Sequence, residues 1–207
     1  MTSILPIFPV PIHCSYLDRK FTPGELDFFE RMEKNSHENV GNKTTDDGYV
    51  LNKSPLTEKL KKELLDTAKD YFKRITCPSH SDVRPYITQS WLNYTKKGEH
   101  HHRHNHQNSY LSGVLYIKAH KDVDRIYFYK NDYETQRGLQ IETDKYHPYN
   151  SNSWWVPVET GKILLFPSYL VHEVHTKEDK EERISLAFNV YVQGTMGTKS
   201  HKTELQL

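Results

Sequence analysis

The chain has little of what would mark it for export, for a membrane or for a polyanion. Only two cysteines, Cys14 and Cys77, occur in 207 residues, and they lie far apart without a metal-type spacing. That excludes a disulfide scaffold and fits two free thiols in a reducing compartment. No apolar run approaches the roughly 18 to 20 residues of a membrane helix, and Met1 to Val10 lacks a basic region followed by a continuous apolar one. A soluble, unexported, cytoplasmic protein is expected. Charge of one sign is also missing: 28 Lys and Arg stand against 27 Asp and Glu, and no basic stripe is interleaved with aromatics. A nucleic-acid partner is therefore not expected. Repeats and low-complexity linkers are absent too, so a single domain over residues 1–207 is the reading. Within it, 1–84 would form an edge strand and supporting helices, 85–192 the core and 193–207 a tail.

What the chain does have is histidine. His100, His101, His102, His104 and His106 crowd one stretch, and His172 and His175 follow a later apolar segment. Imidazole is the commonest side-chain metal ligand, and residues at i, i+2 on a strand point the same way, so two such histidines can chelate. A solvated, accidentally His-rich loop would leave the second pair unexplained. Three registers are open in the first cluster: His100 with His102, His102 with His104, or His104 with His106. Unperturbed imidazole would make metal affinity fall below about pH 6.5.

The first third reads as helical. Ile4 to Tyr16 alternates apolar residues with Pro6, Pro9 and Pro11, a pattern tolerated only in an edge strand, and such an edge could pair with a second copy as a homodimer. Thr22 and Pro23 start a short helix over Glu25 to Lys34, with Leu26, Phe29 and Met32 inward. Ser54 and Pro55 start a longer one, whose stripe Leu56, Leu60, Leu64, Ala68, Phe72 and Ile75 runs until Cys77 and Pro78. Asn35 to Asn52 reads as a polar surface loop.

From Pro85 the pattern changes to short strands: Tyr86 to Tyr94, Tyr110 to Ala119, Arg125 to Tyr129, Gln140 to Glu142, Trp154 to Val158, Lys162 to Pro167, Val171 to His175 and Ile184 to Val192. So many short strands suit a double-sheet jelly roll. The aromatic stretch Asn131 to Ser153 is long enough for a lid or binding loop. Arg183 opens the last strand, next to the one bearing His172. A planar guanidinium there suits a carboxylate, with Ser185 two residues on facing the same way. The competing reading pairs Arg183 with Glu181 or Glu182 at the surface.

A distal His172 followed by Arg183-x-Ser185 resembles the double-stranded β-helix core of Fe(II)/2-oxoglutarate-dependent oxygenases. The segments Trp91 to Tyr94 with Gly98, His104-x-His106 with Asn108, Ser109 and Ser112 to Val114, Phe166 to Ser168 with His172 to His175, and Arg183 to Ser185 with Phe188 and Asn189 are similar to a subgroup of such oxygenases in bacteria and bacteriophages. The resemblance covers about residues 86 to 192. It implies a mainly β chain with a cupin-like, double-stranded β-helix core and N-terminal helices packed on one sheet. It also implies Fe(II) on His104, His106 and His172, and 2-oxoglutarate held by Arg183 and Ser185. Tyr94 or Tyr116 would offer a hydroxyl to the keto acid, with Asn93 and Asn108 orienting ligands. The implied reaction is hydroxylation of an unidentified substrate with O2, releasing succinate and CO2.

The departure is that His-x-Asp or His-x-Glu is usual at the first site, and this chain has His in every register. The nearest carboxylates are Glu99 and Glu173, and Glu173 alternates away from His172. His100 and His101 are expected to be dispensable. Two other functions fit the histidines: a non-catalytic barrel closing zinc or nickel between His102, His104, His106 and His172, and a cupin-type enzyme without a keto acid. Arg183 discriminates, since a closed structural site has no use for a carboxylate clamp.

Overall fold

The computed structural model describes residues 4–130 and 141–207. The expected strand at Gln140 to Glu142 and the insertion Asn131 to Ser153 fall partly outside these residues; Ile141 and Glu142 are not in a strand.

Two helices precede the core. The first, α1 (Pro23–Met32), starts on a capping box in which Thr22 and Glu25 satisfy each other's backbone amides, an arrangement contributing about 1 kcal/mol. Leu26 is exposed, and inward packing falls to Phe29 instead. The second, α2 (Glu58–Ile75), follows a single 3-10 turn at Pro55–Thr57 capped by Ser54. Leu60, Leu64, Ala68 and Phe72 of its stripe are buried, whereas Leu56 and Ile75 at the two ends are exposed. Arg19 ties the helices together, bonding Glu25 of α1 and Glu63 of α2.

The strands are β1 (His13–Tyr16), β2 (Ser36–Glu38), β3 (Lys43–Thr45), β4 (Arg84–Thr95), β5 (His101–His104), β6 (Leu111–Lys118), β7 (Arg125–Tyr129), β8 (Ser153–Pro157), β9 (Lys162–Pro167), β10 (His172–Val174) and β11 (Arg183–Gln193), with a short terminal pair β12 (Thr195–Met196) and β13 (Leu205–Gln206). A seven-stranded sheet runs β1-β9-β6-β11-β4-β3-β2, and a four-stranded sheet runs β5-β10-β7-β8. All of these strand pairs are antiparallel, the double-stranded β-helix arrangement. β1 is an edge strand but begins only at His13: three prolines upstream lack the N–H that a ladder needs. The expected loop Asn35 to Asn52 instead contributes the β2-β3 hairpin, which extends the large sheet through β4.

Period-2 alternation sorts the large sheet's side chains between two cores. Leu92 and Tyr94 of β4, Leu111, Leu115 and Ile117 of β6, Ile163 and Leu165 of β9, and Ile184, Leu186, Phe188 and Val190 of β11 pack with Phe29, Leu60 and Leu64 of the helices. The alternate positions face the smaller sheet, where Val114, Tyr116, Leu164 and Phe166 meet Ile126 and Phe128 of β7. Gly113 is required on β6 because a Cβ there would lie 2.2 Å from the Phe188 ring directly opposite. In the same way Gly41, at φ +91°, receives the His100 ring, which would lie 2.4 Å from any Cβ at that position.

Candidate metal centre

The inner face of the large sheet and β5 and β10 of the small one enclose a cavity. Its walls include Trp91, Asn93 and Thr95 of β4, Ser112 and Tyr116 of β6, Arg183 and Ser185 of β11, and His101, His104, His106 and His172. The ladder brings the histidines together: His172 of β10 is the register partner of His104 on β5. The ligand nitrogens of His104, His106 and His172 all lie within 4.8 Å of one another, and a second such group joins His101, His102 and His104. Both groups are all-imidazole. His106 lies beyond the end of β5 and is held by its backbone N–H, which donates to the Ser168 carbonyl at 3.0 Å. Ser168 is in turn fixed by hydroxyl contacts to Ser112 at 2.9 Å and Ser109 at 2.8 Å. Trp91 stacks on the His106 ring at 5.5 Å between centroids.

The donor set fits a divalent metal. His104 Nδ1 lies 2.7 Å from its own strand's His102 carbonyl, and His172 Nδ1 lies 3.0 Å from the Leu170 carbonyl. A carbonyl only accepts, so each Nδ1 carries the proton and each Nε2 keeps a lone pair for a metal, the orientation such contacts impose. Burial, reinforced by His104 nearby, depresses the pKa of His172 to about 3 and of His106 to about 4; burial also lowers that of His104. The His106 and His172 imidazoles are therefore neutral well below the pH 6.5 that an exposed histidine would suggest, and the His104 pKa is lowered too.

Neither carboxylate read from the sequence joins a histidine group, although Glu173 borders the cavity. Glu173 accepts from Tyr129 and from His175 Nε2 at 2.9 Å, while His175 stacks on Tyr127. Glu99 caps the turn at Lys96. Alternation also separates the expected cosubstrate residues. Asn93, Ser185 and Tyr116 are cross-strand neighbours in one inward-facing row, but Tyr94 follows Asn93 and so faces the helices. There its hydroxyl donates to the Phe29 carbonyl at 2.5 Å. Asn108 is exposed and sits at φ 53°, a turn position rather than the cavity wall. Arg183 is buried, and its Nη1 donates to Asp124 Oδ1 at 3.0 Å. Asp124 also takes Lys177 at 3.1 Å, and Lys177 reaches Asp179 at 2.5 Å. Arg183 thus pairs with neither Glu181 nor Glu182.

Two residues that bond the cavity wall had no mark in the sequence. Asp124 lies in the turn before β7 and Asn42 in a hairpin read as loop. His101 enters because β5 is bulged: His104 and His101 pair with His172 and Val174, three steps against two. The extra residue breaks strict alternation and turns His101 to the cavity side.

Comparison with known proteins fits this arrangement. Residues 89–189, from β4 to β11, match the family described as "Putative 2OG-Fe(II) oxygenase". Over this core the chain is similar to the 2OG-Fe(II) oxygenases. It is an enzyme of the class that depends on Fe(II) and 2-oxoglutarate. Among solved structures, the alpha ketoglutarate dependent epimerase SnoN from nogalamycin biosynthesis aligns with TM-score 0.62 at 12% identity, over 90% of this chain and 80% of that one. HygX from Streptomyces hygroscopicus, solved with nickel, 2-oxoglutarate and hygromycin B, aligns with TM-score 0.57 at 15% identity, over 87% and 82%. A Pseudomonas putida prolyl-4-hydroxylase aligns with TM-score 0.55 at 15% identity, over 87% and 92%. At these identities the likeness is one of fold. None of the curated proteins matches the chain.

Proposed function

We propose that this oxygenase hydroxylates a small-molecule substrate, consuming O2 and 2-oxoglutarate and releasing succinate and CO2. The observation that carries the reading is the convergence of three neutral imidazoles, His104, His106 and His172, in the same cavity as the buried Arg183. The histidines would hold Fe(II) through one face, leaving positions open for a chelating keto acid. When bound, the metal supplies the O2 chemistry that a protein side chain cannot.

The chain's own residues do the positioning. Arg183 offers the guanidinium nitrogens not taken by Asp124 to the far carboxylate of the keto acid. Ser185, Tyr116 and Asn93 present polar groups from the adjoining row, and among the described residues the buried Asn93 Oδ1 has no hydrogen-bond partner. The paired Phe166 and Phe128, against which His172 packs, keep the back of the site dry. The enzyme would act in the cytoplasm without a nucleic-acid or membrane partner. Among the described residues no helix is long and apolar enough to cross a membrane. The free edge of β1 is where a second copy would pair.

One observation favours a second reading: Asp124 already gives Arg183 an anion, as a non-catalytic metal-binding barrel would require. Anaerobic titration of the Fe(II)-loaded protein with 2-oxoglutarate decides between them. A visible charge-transfer band that saturates, and that Arg183→Ala shifts to about 30-fold or higher concentration, supports the oxygenase. No band in the wild type, with one metal bound per chain, establishes the barrel.

A further inference from the structure

His101 is a half-buried residue that neither the metal reading nor the carboxylate clamp uses. It lines the cavity and its ring stacks on that of His104 at 4.7 Å between centroids. Its Nδ1 faces Asn42 Nδ2 at 3.1 Å, and the same amide nitrogen lies 3.4 Å from Thr95 Oγ1. Thr95 is the residue directly opposite Arg183 in the β4-β11 ladder. Asn42 is almost wholly buried, so this contact is built into the hairpin packing rather than formed by a mobile surface group. His101 therefore shares the cavity wall with the metal histidines and the guanidinium.

The tautomer follows from the partner. An amide nitrogen only donates, so Nδ1 of His101 must accept, and the ring proton is on Nε2. A nitrogen carrying its proton has no lone pair for a metal. His101 is thus set up as a donor, whereas His104 and His172 are set up as ligands.

We infer that His101, oriented by Asn42, donates a hydrogen bond from Nε2 to a carboxylate oxygen of the bound keto acid, making it a second anchor beside Arg183. This rests on the oxygenase reading above. Among the described residues neither histidine group includes a carboxylate, so the keto acid's grip falls to donors on the wall.

Fe(II)-loaded wild type, His101→Leu and His101→Gln are titrated anaerobically with 2-oxoglutarate, after Fe(II) affinity has been measured for each by competition with a chelator. His101→Leu should weaken the keto acid about 10- to 100-fold, the range for a lost hydrogen bond to a charged group, with Fe(II) affinity unchanged. His101→Gln keeps an N–H donor and should recover part of the loss. Asn42→Leu, which leaves the ring but frees its tautomer, should show a smaller loss in the same direction and serves if His101→Leu does not fold. Loss of Fe(II) affinity in both His101 variants overturns the inference and makes His101 a ligand in the second histidine group. Equal keto-acid affinity in all the proteins also overturns it while leaving the oxygenase reading intact. Absence of the band from the wild type removes both.

Discussion

At the scale of single residues, the site owes its properties to desolvation more than to charge pairing. A histidine whose folded pKa is about 4, like His106, stays unprotonated between pH 6.5 and 4, while the unfolded chain binds its proton there. The unfolded state then holds more protons, so apo-protein stability must fall as pH drops through that window and the loss is complete below about pH 4. His172, at about 3, extends the window downward. Denaturant titrations of the metal-free protein should show a midpoint that declines from pH 7 to pH 5. The decline should be shallower in His106→Leu, and an equal slope would refute the depressed pKa. His106→Asp bears on the same position differently. It restores the usual histidine-histidine-carboxylate face and should keep Fe(II) binding that His106→Leu loses, as read by elemental analysis after reconstitution. Unchanged binding in His106→Leu would move the first site to His101, His102 and His104.

At the scale of elements, the double-stranded β-helix depends on one close approach. Gly113 lies under the Phe188 ring, between the layer facing the helices and the layer facing the site. Gly113→Ala forces that ring or strand to move and should cost about 1 to 3 kcal/mol in a chemical denaturation curve. Gly113→Ala combined with Phe188→Leu should recover much of it, and a neutral single variant would show that the strands can separate freely. Elements with strong periodicity were readable from the chain: Arg125–Tyr129 and Lys162–Pro167 form strands with the bounds their apolar patterns imply. The long helix follows its leucine stripe. What escaped reading was set by partners distant in sequence. The β2-β3 hairpin is too short and polar to announce itself and exists because β4 offers a ladder. Asn93 and Tyr94 are adjacent on a strand and cannot both face the cavity, so alternation alone separates them. His101 could not have been placed, because a bulge leaves no mark in a run of like residues.

At the scale of the whole molecule, a buried ionic cluster joins the core's turns. Asp124 before β7 holds Lys177 from the turn after β10 and Arg183 from the start of β11, all three nearly inaccessible. Removing the anion leaves Lys177 only Asp179 and takes the buried Arg183 guanidinium's ion pair away, so Asp124→Ala should cost about 3 to 5 kcal/mol. Asp124→Asn should cost less, because its amide oxygen still accepts. Thermal unfolding of both variants checks the order, and equal midpoints would mean the cluster is solvated.

The same whole-molecule view applies to Gly41, against which the His100 ring is seated and whose carbonyl receives the His100 N–H at 2.9 Å. As a message, the run from His100 to His106 is redundant: a slip of two residues in β5 still presents imidazoles to β10. Ligand identity therefore carries no error-checking for alignment, and Gly41 performs that check from outside the run, because only a residue without a side chain admits His100 in the correct frame. Gly41→Ala should read out as a frame error rather than a lost site. Fe(II) would still bind to a shifted set of histidines, while the 2-oxoglutarate band weakens because the metal no longer stands in register with Arg183. Joint loss of both, in a protein that still unfolds cooperatively, would place the alignment signal in the histidines themselves.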